Sequence, residues 1–276
     1  MMDAAKPPML DPEDLQSLLQ AAREIVDNAS AIALRHFRND VAVSAKADES
    51  PVTVADRSTE ARLRSEIIAR FPGHGFLGEE YGNENLGADF VWVIDPIDGT
   101  KSFVSGHPLW GMLLGLLYHG KPLFGMVKMP VLREVALGGP GLGATLNGKP
   151  VHCRKVAPQQ AYLCLNELPQ MLAKERAVAE ALLASGRYAR ATADCYSYVQ
   201  LAAGWVDGVV DYGLEPYDYL PVLPLVEAAG GVMTDWQGRP LGRGSDGRVV
   251  AGSPAVHAHL LDVITRAGAT TLAQTV

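Results

Sequence analysis

The chain has 276 residues, 48% of them hydrophobic and 20% charged, with a formal net charge of −7, so it can bury a substantial core as one large domain or two packed lobes. That acidity argues against nucleic acid or an anionic membrane as a partner, and no apolar run approaches the roughly 20 residues needed to span a bilayer. Three scattered cysteines, Cys153, Cys164 and Cys195, form neither a CxxC pair nor a zinc spacing, so a reduced, cytoplasmic protein is expected.

Residues 1–10 carry one lysine and two prolines but no apolar h-region, and read as a short disordered leader rather than a signal peptide. Asp11-Pro12-Glu13-Asp14 is a helix start, with Asp11 at the N-cap, Pro12 at the first helical position and acid in the first turn. Leu15, Leu18, Leu19, Ala22, Ile25, Val26, Ala29, Ile32, Ala33 and Phe37 keep helical spacing, which predicts an amphipathic helix to about Phe37. Residues 46–56 are polar with a Ser-Pro break and read as a loop or short hairpin, and residues 46–54 of it as a candidate mobile loop beside the site. A second helix is expected from about Arg57 to Arg70, with Leu63, Ile67, Ile68 and Phe71 on its buried face and Phe71-Pro72-Gly73 as its stop. Asp56 stands at its entrance, locally an N-cap.

Phe76-Leu77-Gly78 then delivers Glu79 and Glu80. Adjacent residues on extended chain face opposite sides, so only one of the pair can reach a shared site. Val91-Trp92-Val93-Ile94 is a buried strand that ends in Asp95-Pro96-Ile97-Asp98-Gly99-Thr100. Asp-Pro and Asp-Gly turn the chain at once, and Asp95 and Asp98 can converge on one point. Carboxylates so placed repel unless one is protonated or a cation lies between them. The stretch is therefore either an ordinary acidic turn or an oxygen-rich site for Mg²⁺ or a similar hard ion. Gly99-Thr100-Lys101-Ser102 can start a short helix whose N–H groups suit a phosphate.

Residues 110–118 and 122–128 read as a hairpin about His119-Gly120-Lys121, residues 133–137 as a further strand, and residues 141–150 as short strands around Asn147-Gly148. To about Pro150 the chain is two helices and an antiparallel-looking sheet. Beyond it come a strand over 161–165, a helix over 169–185 closed by Gly186, a helix over 198–205 and a strand over 206–211. A helix opening at Tyr217-Asp218 runs to Ala229, kinked or delayed by Pro224. Strands over 232–234 and 248–251 and a helix over 254–266 complete the chain. This alternation predicts an α/β sheet covered by helices on both faces, with an N-terminal lobe over 11–155 and a C-terminal lobe over 156–276.

Glu79, Asp95, Asp98 and Asp218 each end an apolar element beside Gly or Pro, where open sheets place their sites. Gly78-Glu79-Glu80, then Asp95-Pro96-Ile97-Asp98-Gly99-Thr100, then Tyr217-Asp218 with Glu227-Ala228-Ala229-Gly230-Gly231, resemble the inositol monophosphatase superfamily in order and spacing from Lys46 to about Gly252. These are Mg²⁺-dependent, lithium-sensitive phosphomonoesterases. The resemblance implies a layered α-β-α-β-α fold of the α/β (α+β) class, with the site between two lobes and usually a homodimer. It implies Glu79, Asp95 and the Ile97 carbonyl as ligands of a first Mg²⁺, and Asp95, Asp98 and Asp218 as ligands of a second, Asp95 bridging. A third, weaker ion near Glu79 is usual in the family, and Mn²⁺ is an alternative ion. Asp56 and Thr100 match the pair that positions the attacking water, ahead of the N-cap role for Asp56. The N–H groups of Gly99 and Thr100 would hold the phosphate, with Asp98 and Asp218 beside it. In-line attack by water then needs no nucleophile from Cys195 or a serine.

Within the superfamily, Gly99-Thr100-Lys101-Ser102-Phe103 with Ser105-Gly106, and Met129-Pro130-Val131-Leu132-Arg133-Glu134, look most like the histidinol-phosphate phosphatase branch. So do Ala193-Asp194-Cys195-Tyr196-Ser197-Tyr198 and Glu215-Pro216-Tyr217-Asp218-Tyr219-Leu220. The inositol branch typically has Trp before the last ligand and Gly-Ser/Thr-Ala where this chain has Ala193-Asp194-Cys195. A carboxylate at Asp194 suits a substrate carrying an amine and an imidazole; its local alternative is an N-cap before Tyr196. Asp211 stands where the family has a substrate-contacting glutamate, a shorter reach, and Ala193 replaces the branch's glycine. The expectation is a phosphatase of histidinol phosphate, a small-molecule substrate, in histidine biosynthesis. The alternatives are an inositol-1-monophosphatase or broad sugar-phosphate phosphatase, and a catalytically silent regulatory protein that keeps the fold.

Overall fold

A computed structural model describes residues 10–39, 43–45, 51–191 and 194–274. The 1–9 part of the expected leader, the 46–50 part of the expected mobile loop and Ala193 lie outside the described residues. Helix α1 (Pro12–His36) starts as its sequence dictates, with the Asp11 carboxylate accepting the Glu13 N–H at 2.9 Å. Short strands β1 (Val43–Ala45) and β2 (Pro51–Thr53) pair antiparallel and lead into α2 (Val54–Arg70). Strands β3 (Gly75–Gly78), β4 (Asn83–Glu84) and β5 (Phe90–Asp98) follow, then helix α3 (Thr100–Val104). A meander of β6 (Gly111–Tyr118), β7 (Lys121–Met129), β8 (Glu134–Gly139), β9 (Gly143–Leu146) and β10 (Lys149–Val151) completes an eight-stranded sheet in the order β10-β9-β8-β7-β6-β5-β3-β4. His119-Gly120 and Asn147-Gly148 both carry positive φ at the two hairpin turns, the signature of tight two-residue loops. The sheet is antiparallel except for β3 beside β5, which run parallel. The sequence did not reveal that exception, because it depends on β4 pairing at the outer edge of β3 before β5 returns along its other side.

The second half builds a five-stranded sheet from β11 (Tyr162–Leu165), β12 (Tyr188–Ala191), β13 (Gly208–Asp211), β14 (Val232–Asp235) and β15 (Val249–Gly252), in the order β12-β11-β13-β15-β14. The expected helix over 169–185 is two, α4 (Leu168–Lys174) and α5 (Arg176–Leu183). The backbone leaves the helical region at Glu175, whose carboxylate pairs with Arg248 at 3.1 Å. Helix α6 covers Tyr196–Ala202. The proline-bearing helix is likewise split into α7 (Pro216–Tyr219) and α8 (Leu223–Ala228), the break falling where Pro221 and Pro224 forbid a continuous ladder. Helix α9 (Pro254–Gln274) closes the chain.

Strand parity sorts these elements into layers. One face of the large sheet presents Phe76, Trp92, Ile94, Met112, Leu114 and Phe124 to Leu18, Ile25 and Val26 of α1 and Leu63 and Ile67 of α2. Fully burying such a side chain contributes about 1.5–3 kcal/mol, more than differences in helix propensity, so packing decides where these helices lie. The other face presents Val91, Val93, Leu113 and Val127 to α6 and α8, which also cover Cys164, Val209 and Ala251 of the small sheet. Leu163, Leu165, Val210 and Val250 then meet Met171, Val178 and Leu182 of α4 and α5 and Val256 and Leu260 of α9. The order is α-β-α-β-α. Ile68, expected in the core, is 47% exposed; the inner face of α2 carries Glu60 and Arg64 instead.

The middle layer sits unusually close to the large sheet. Gly115, Gly125 and Gly138 lie in register across β6, β7 and β8. A Cβ on Gly125 would fall 1.7 Å from the Pro221 carbonyl oxygen, and one on Gly138 2.7 Å from Leu225 Cα. Backbone of the α7–α8 segment thus rests on bare strand.

Candidate active site

On β5, Val91 and Val93 face the middle layer and Trp92 and Ile94 the outer one, and Asp95 keeps the parity of the first pair. The pairing with β6 slips between Asp95 and Asp98, an irregularity of the kind that re-aims side chains beside sites. Asp95 Oδ1 accepts the Ile97 N–H at 3.0 Å, Thr100 Oγ1 donates to the Ile97 carbonyl at 3.2 Å, and Gly99 turns the chain with φ 80° into α3. Glu79 follows β3 on the parity of Leu77, its N–H on the Ile94 carbonyl at 3.2 Å. Asp218 arrives on α7 from the middle layer, its Oδ2 accepting the Glu215 N–H at 2.8 Å.

These elements bring one carboxylate oxygen from each of Asp95, Asp98 and Asp218 within 4.8 Å of one another. Burial, then the charges of Glu79, Asp98 and Asp218, push the Asp95 carboxyl well above its usual range. Burial and Asp194 raise Asp98 to about 7, although the Cys195 N–H, 2.6 Å from Asp98 Oδ2, opposes the shift. Burial and Asp98 push Asp218 well up too. An all-oxygen donor set under mutual repulsion fits a hard divalent ion and not a soft one. The cleft around it is lined by eight acids, Glu79, Asp95, Asp98, Glu167, Asp194, Asp211, Glu215 and Asp218, and among the described residues by one cationic side chain, Lys101. A phosphate dianion entering such a cleft meets net repulsion unless cations accompany it.

The opposite wall belongs to the small sheet. Asp194 holds a left-handed φ of 43°, and its Oδ2 accepts from Ser102 Oγ at 2.5 Å, filling the space that a side chain on Gly99 would need. Asp194 is not the N-cap that was its local alternative: Cys195 caps α6, and Ser197 bonds the Asp194 carbonyl, not its carboxylate. Asp211 is 3% exposed; it accepts from Asn166 Nδ2 at 2.8 Å and Tyr198 OH at 3.1 Å, and burial raises its carboxyl to about 7. Asp56 is buried in the first turn of α2 and not at its N-cap, because the helix begins at Val54. Thr100 lines the cleft and Asp56 does not, although the neighbouring Ala55 shares a core cluster with Ile97 and Phe103.

Sequence reasoning missed Asn166, Glu167 and Gln170. Lys101 Nζ reaches Glu167 Oε1 at 2.7 Å across the cleft mouth, and Gln170 Nε2 supports Glu167 Oε2 at 3.0 Å. The signal that singled out Glu79, a polar pair just after an apolar strand, was present again at Asn166-Glu167 after β11.

Three comparisons bear on this arrangement. The Inositol monophosphatase family profile matches residues 14–269. The chain is 38% identical over 245 residues to the bifunctional phosphatase IMPL2, chloroplastic, of Arabidopsis thaliana, covering 84% of this chain and 68% of that protein. It is 35% identical over 224 residues to a histidinol-phosphatase of Chlorobaculum parvum, covering 80% and 86%. An inositol monophosphatase from Zymomonas mobilis superimposes with a TM-score of 0.82 at 32% identity, covering 91% of this chain and 98% of that one. The layers, the acids that close on one point and the matched length lead to one assignment: the chain belongs to the inositol monophosphatase family, generally metal-dependent phosphatases of small phosphate esters.

Proposed function

We propose that this phosphatase hydrolyses histidinol phosphate to histidinol and phosphate in histidine biosynthesis, with Mg²⁺ as its ion. Asp194 carries the reading. Its carboxylate, held by Ser102 against Gly99 in the cleft that the three converging acids line, offers a counter-charge to an ammonium or imidazolium group that a polyol does not have. Likeness to a histidinol-phosphatase at 35% identity supports the same choice.

In this reading Glu79, Asp95 and the Ile97 carbonyl would hold one Mg²⁺, and Asp95, Asp98 and Asp218 a second, Asp95 being shared. A third, weaker ion would sit near Glu79, and Mn²⁺ would be an alternative to Mg²⁺. When bound, such ions neutralise the phosphate dianion, acidify a water and stabilise the leaving alkoxide. Thr100, on the cleft wall, and Asp56, buried in the first turn of α2, would be the pair that positions that water. The N–H groups of Gly99 and Thr100 hold the phosphate, flanked by Asp98 and Asp218. Asp194 and Asp211 select the leaving alcohol. Cys195 acts through its N–H on Asp98; its buried thiol, pushed far up in pKa, is no nucleophile. A cytoplasmic, lithium-sensitive homodimer completes the proposal.

One observation favours an inositol-1-monophosphatase or a broad sugar-phosphate phosphatase instead: the Zymomonas mobilis inositol monophosphatase is covered over 98% of its length. Phosphate release from histidinol phosphate and inositol 1-phosphate at equal, saturating Mg²⁺ separates the readings. Higher kcat/KM is expected for histidinol phosphate. Faster turnover of inositol phosphate overturns the proposal, and release from neither points to a silent binding protein.

A further inference from the structure

The inner face of α2 should by its position be apolar, yet it carries a charged pair. Glu60 is fully buried and Arg64 is 9% exposed. Glu60 Oε1 accepts from Arg64 Nε at 2.8 Å, one helical turn away. The same carboxylate reaches backward to the turn after β3, where Oε2 accepts the Glu80 N–H at 2.8 Å and Oε1 the Tyr81 N–H at 3.3 Å. Arg64 completes the grip: Nη2 donates to the Gly82 carbonyl, Nη1 lies 3.8 Å from Glu84, and the guanidinium sits over the Phe76 ring at 4.9 Å.

What this clip holds is the turn that carries Glu79. Parity sends Glu79 toward the cleft and Glu80 toward α2, so the two N–H groups gripped by Glu60 are those immediately after Glu79. The Glu79 N–H is itself held on the Ile94 carbonyl, one residue before Asp95. Glu79 is therefore pinned from both sides, by β5 in front and by α2 behind. Gly78 is where the clip passes: a Cβ there would lie 2.3 Å from Glu60 Oε1 and 2.5 Å from Arg64 Nη2.

A buried ion pair is a poor device for stability alone, since a well-packed apolar pair of the same volume does as well or better. Its distinct property is direction. A carboxylate that accepts two backbone N–H groups fixes the path of those residues more narrowly than contact between hydrocarbons. We infer that Glu60, with Arg64, is a positioning residue that sets the Glu79 carboxylate for a divalent ion, although neither touches the ion. Through α2 the same clip ties Glu79 to Asp56, one turn before Glu60.

The inference rests on the metal reading of the site, and the test separates the two. Mn²⁺ binding to the whole protein is titrated by calorimetry for the unsubstituted chain, Glu60→Gln, Glu79→Gln and the double variant. Glu60→Gln keeps the shape but turns one acceptor into an N–H donor against backbone N–H or guanidinium. The expected result is an affinity for the most tightly bound ion weaker by about 10- to 100-fold, as for groups that orient ligands from behind, and no further loss when Glu60→Gln is added to Glu79→Gln. Affinity unchanged by Glu60→Gln, or losses that add in the double variant, overturns the inference. No binding by the unsubstituted chain overturns the metal reading and this inference with it. Should Glu60→Gln fail to fold, Arg64→Lys, which keeps the charge but loses the forked hold, enters the same cycle and is read the same way.

Discussion

Asp194→Asn is the substitution that most directly tests how the cleft selects its substrate. Asn keeps the size, can still accept from Ser102 Oγ, now 2.5 Å from Asp194 Oδ2, and tolerates the left-handed φ of 43° at this position. Ala there would add backbone strain of about 1–2 kcal/mol and blur the outcome. Only the negative charge is removed. At about 4 Å and an effective dielectric near 20, a carboxylate attracts an ammonium by about 4 kcal/mol. Desolvation takes part of that, and a hydrogen bond to a charged group nets about 1.5–3 kcal/mol. Converted at about 1.36 kcal/mol per decade, kcat/KM for histidinol phosphate should fall about 10- to 150-fold. For an ester with an uncharged alcohol, such as inositol 1-phosphate, it should change by less than about threefold, within the scatter of surface substitutions. The assay is steady-state phosphate release on both substrates at saturating Mg²⁺. Equal losses on both would remove Asp194 from substrate selection, leaving it a structural partner of Ser102.

Three further outcomes are expected. Asp95→Asn should lower turnover by more than about a thousandfold at any Mg²⁺ concentration, because the residue assigned to both ions serves several kcal/mol of transition-state stabilisation; retention of a tenth of the rate contradicts that assignment. In EDTA, thermal stability should fall as pH rises from about 4 through about 7. Asp98 and Asp211 are raised from 3.8 to about 7 in the folded protein, so the folded state keeps protons the unfolded chain has lost and is stabilised on the acid side of that window. A Tm about 5 °C or more lower at pH 8 than at pH 5.5, recovered by Mg²⁺, is the expected reading, and a flat or rising Tm refutes it. Gly125→Ala places a Cβ 1.7 Å from the Pro221 carbonyl oxygen and should lower the unfolding free energy in urea by about 1–3 kcal/mol or more; a change within about 0.5 kcal/mol would mean that the seat yields.

What was readable in advance was chemistry written locally. Asp11-Pro12 starts α1, Asn147-Gly148 turns a hairpin, and Asp95 to Thr100 end a buried strand in a turn, because each depends on a few adjacent residues. The position of Asp218 beside Pro-rich helix starts was readable for the same reason. Pairings across the chain were not. Glu60 and Arg64 at i, i+4 look like an ordinary solvated pair until the turn after β3 is folded against them. The parallel pairing of β3 with β5 depends on how β4 is placed. The short polar strand β12 has no periodicity to announce it, and the break at Glu175 answers to Arg248, more than seventy residues away. Asp194 stood out by type, but its orientation by Ser102 needed both halves of the chain.

The glycines of β6, β7 and β8 bear no charge, yet they bear on which ion the acids can accept. Asp218 rides on a segment seated backbone against backbone on those strands, and a close-packed interior has low compressibility. Mg²⁺ binds oxygen at about 2.0–2.1 Å and Ca²⁺ at about 2.3–2.6 Å. A gap between Asp218 and the β5 acids that cannot widen would therefore discriminate by ionic radius. Size selectivity of this sort would be set by bare strand surface rather than by the ligands themselves, and it would be lost first by mutations that leave every carboxylate in place.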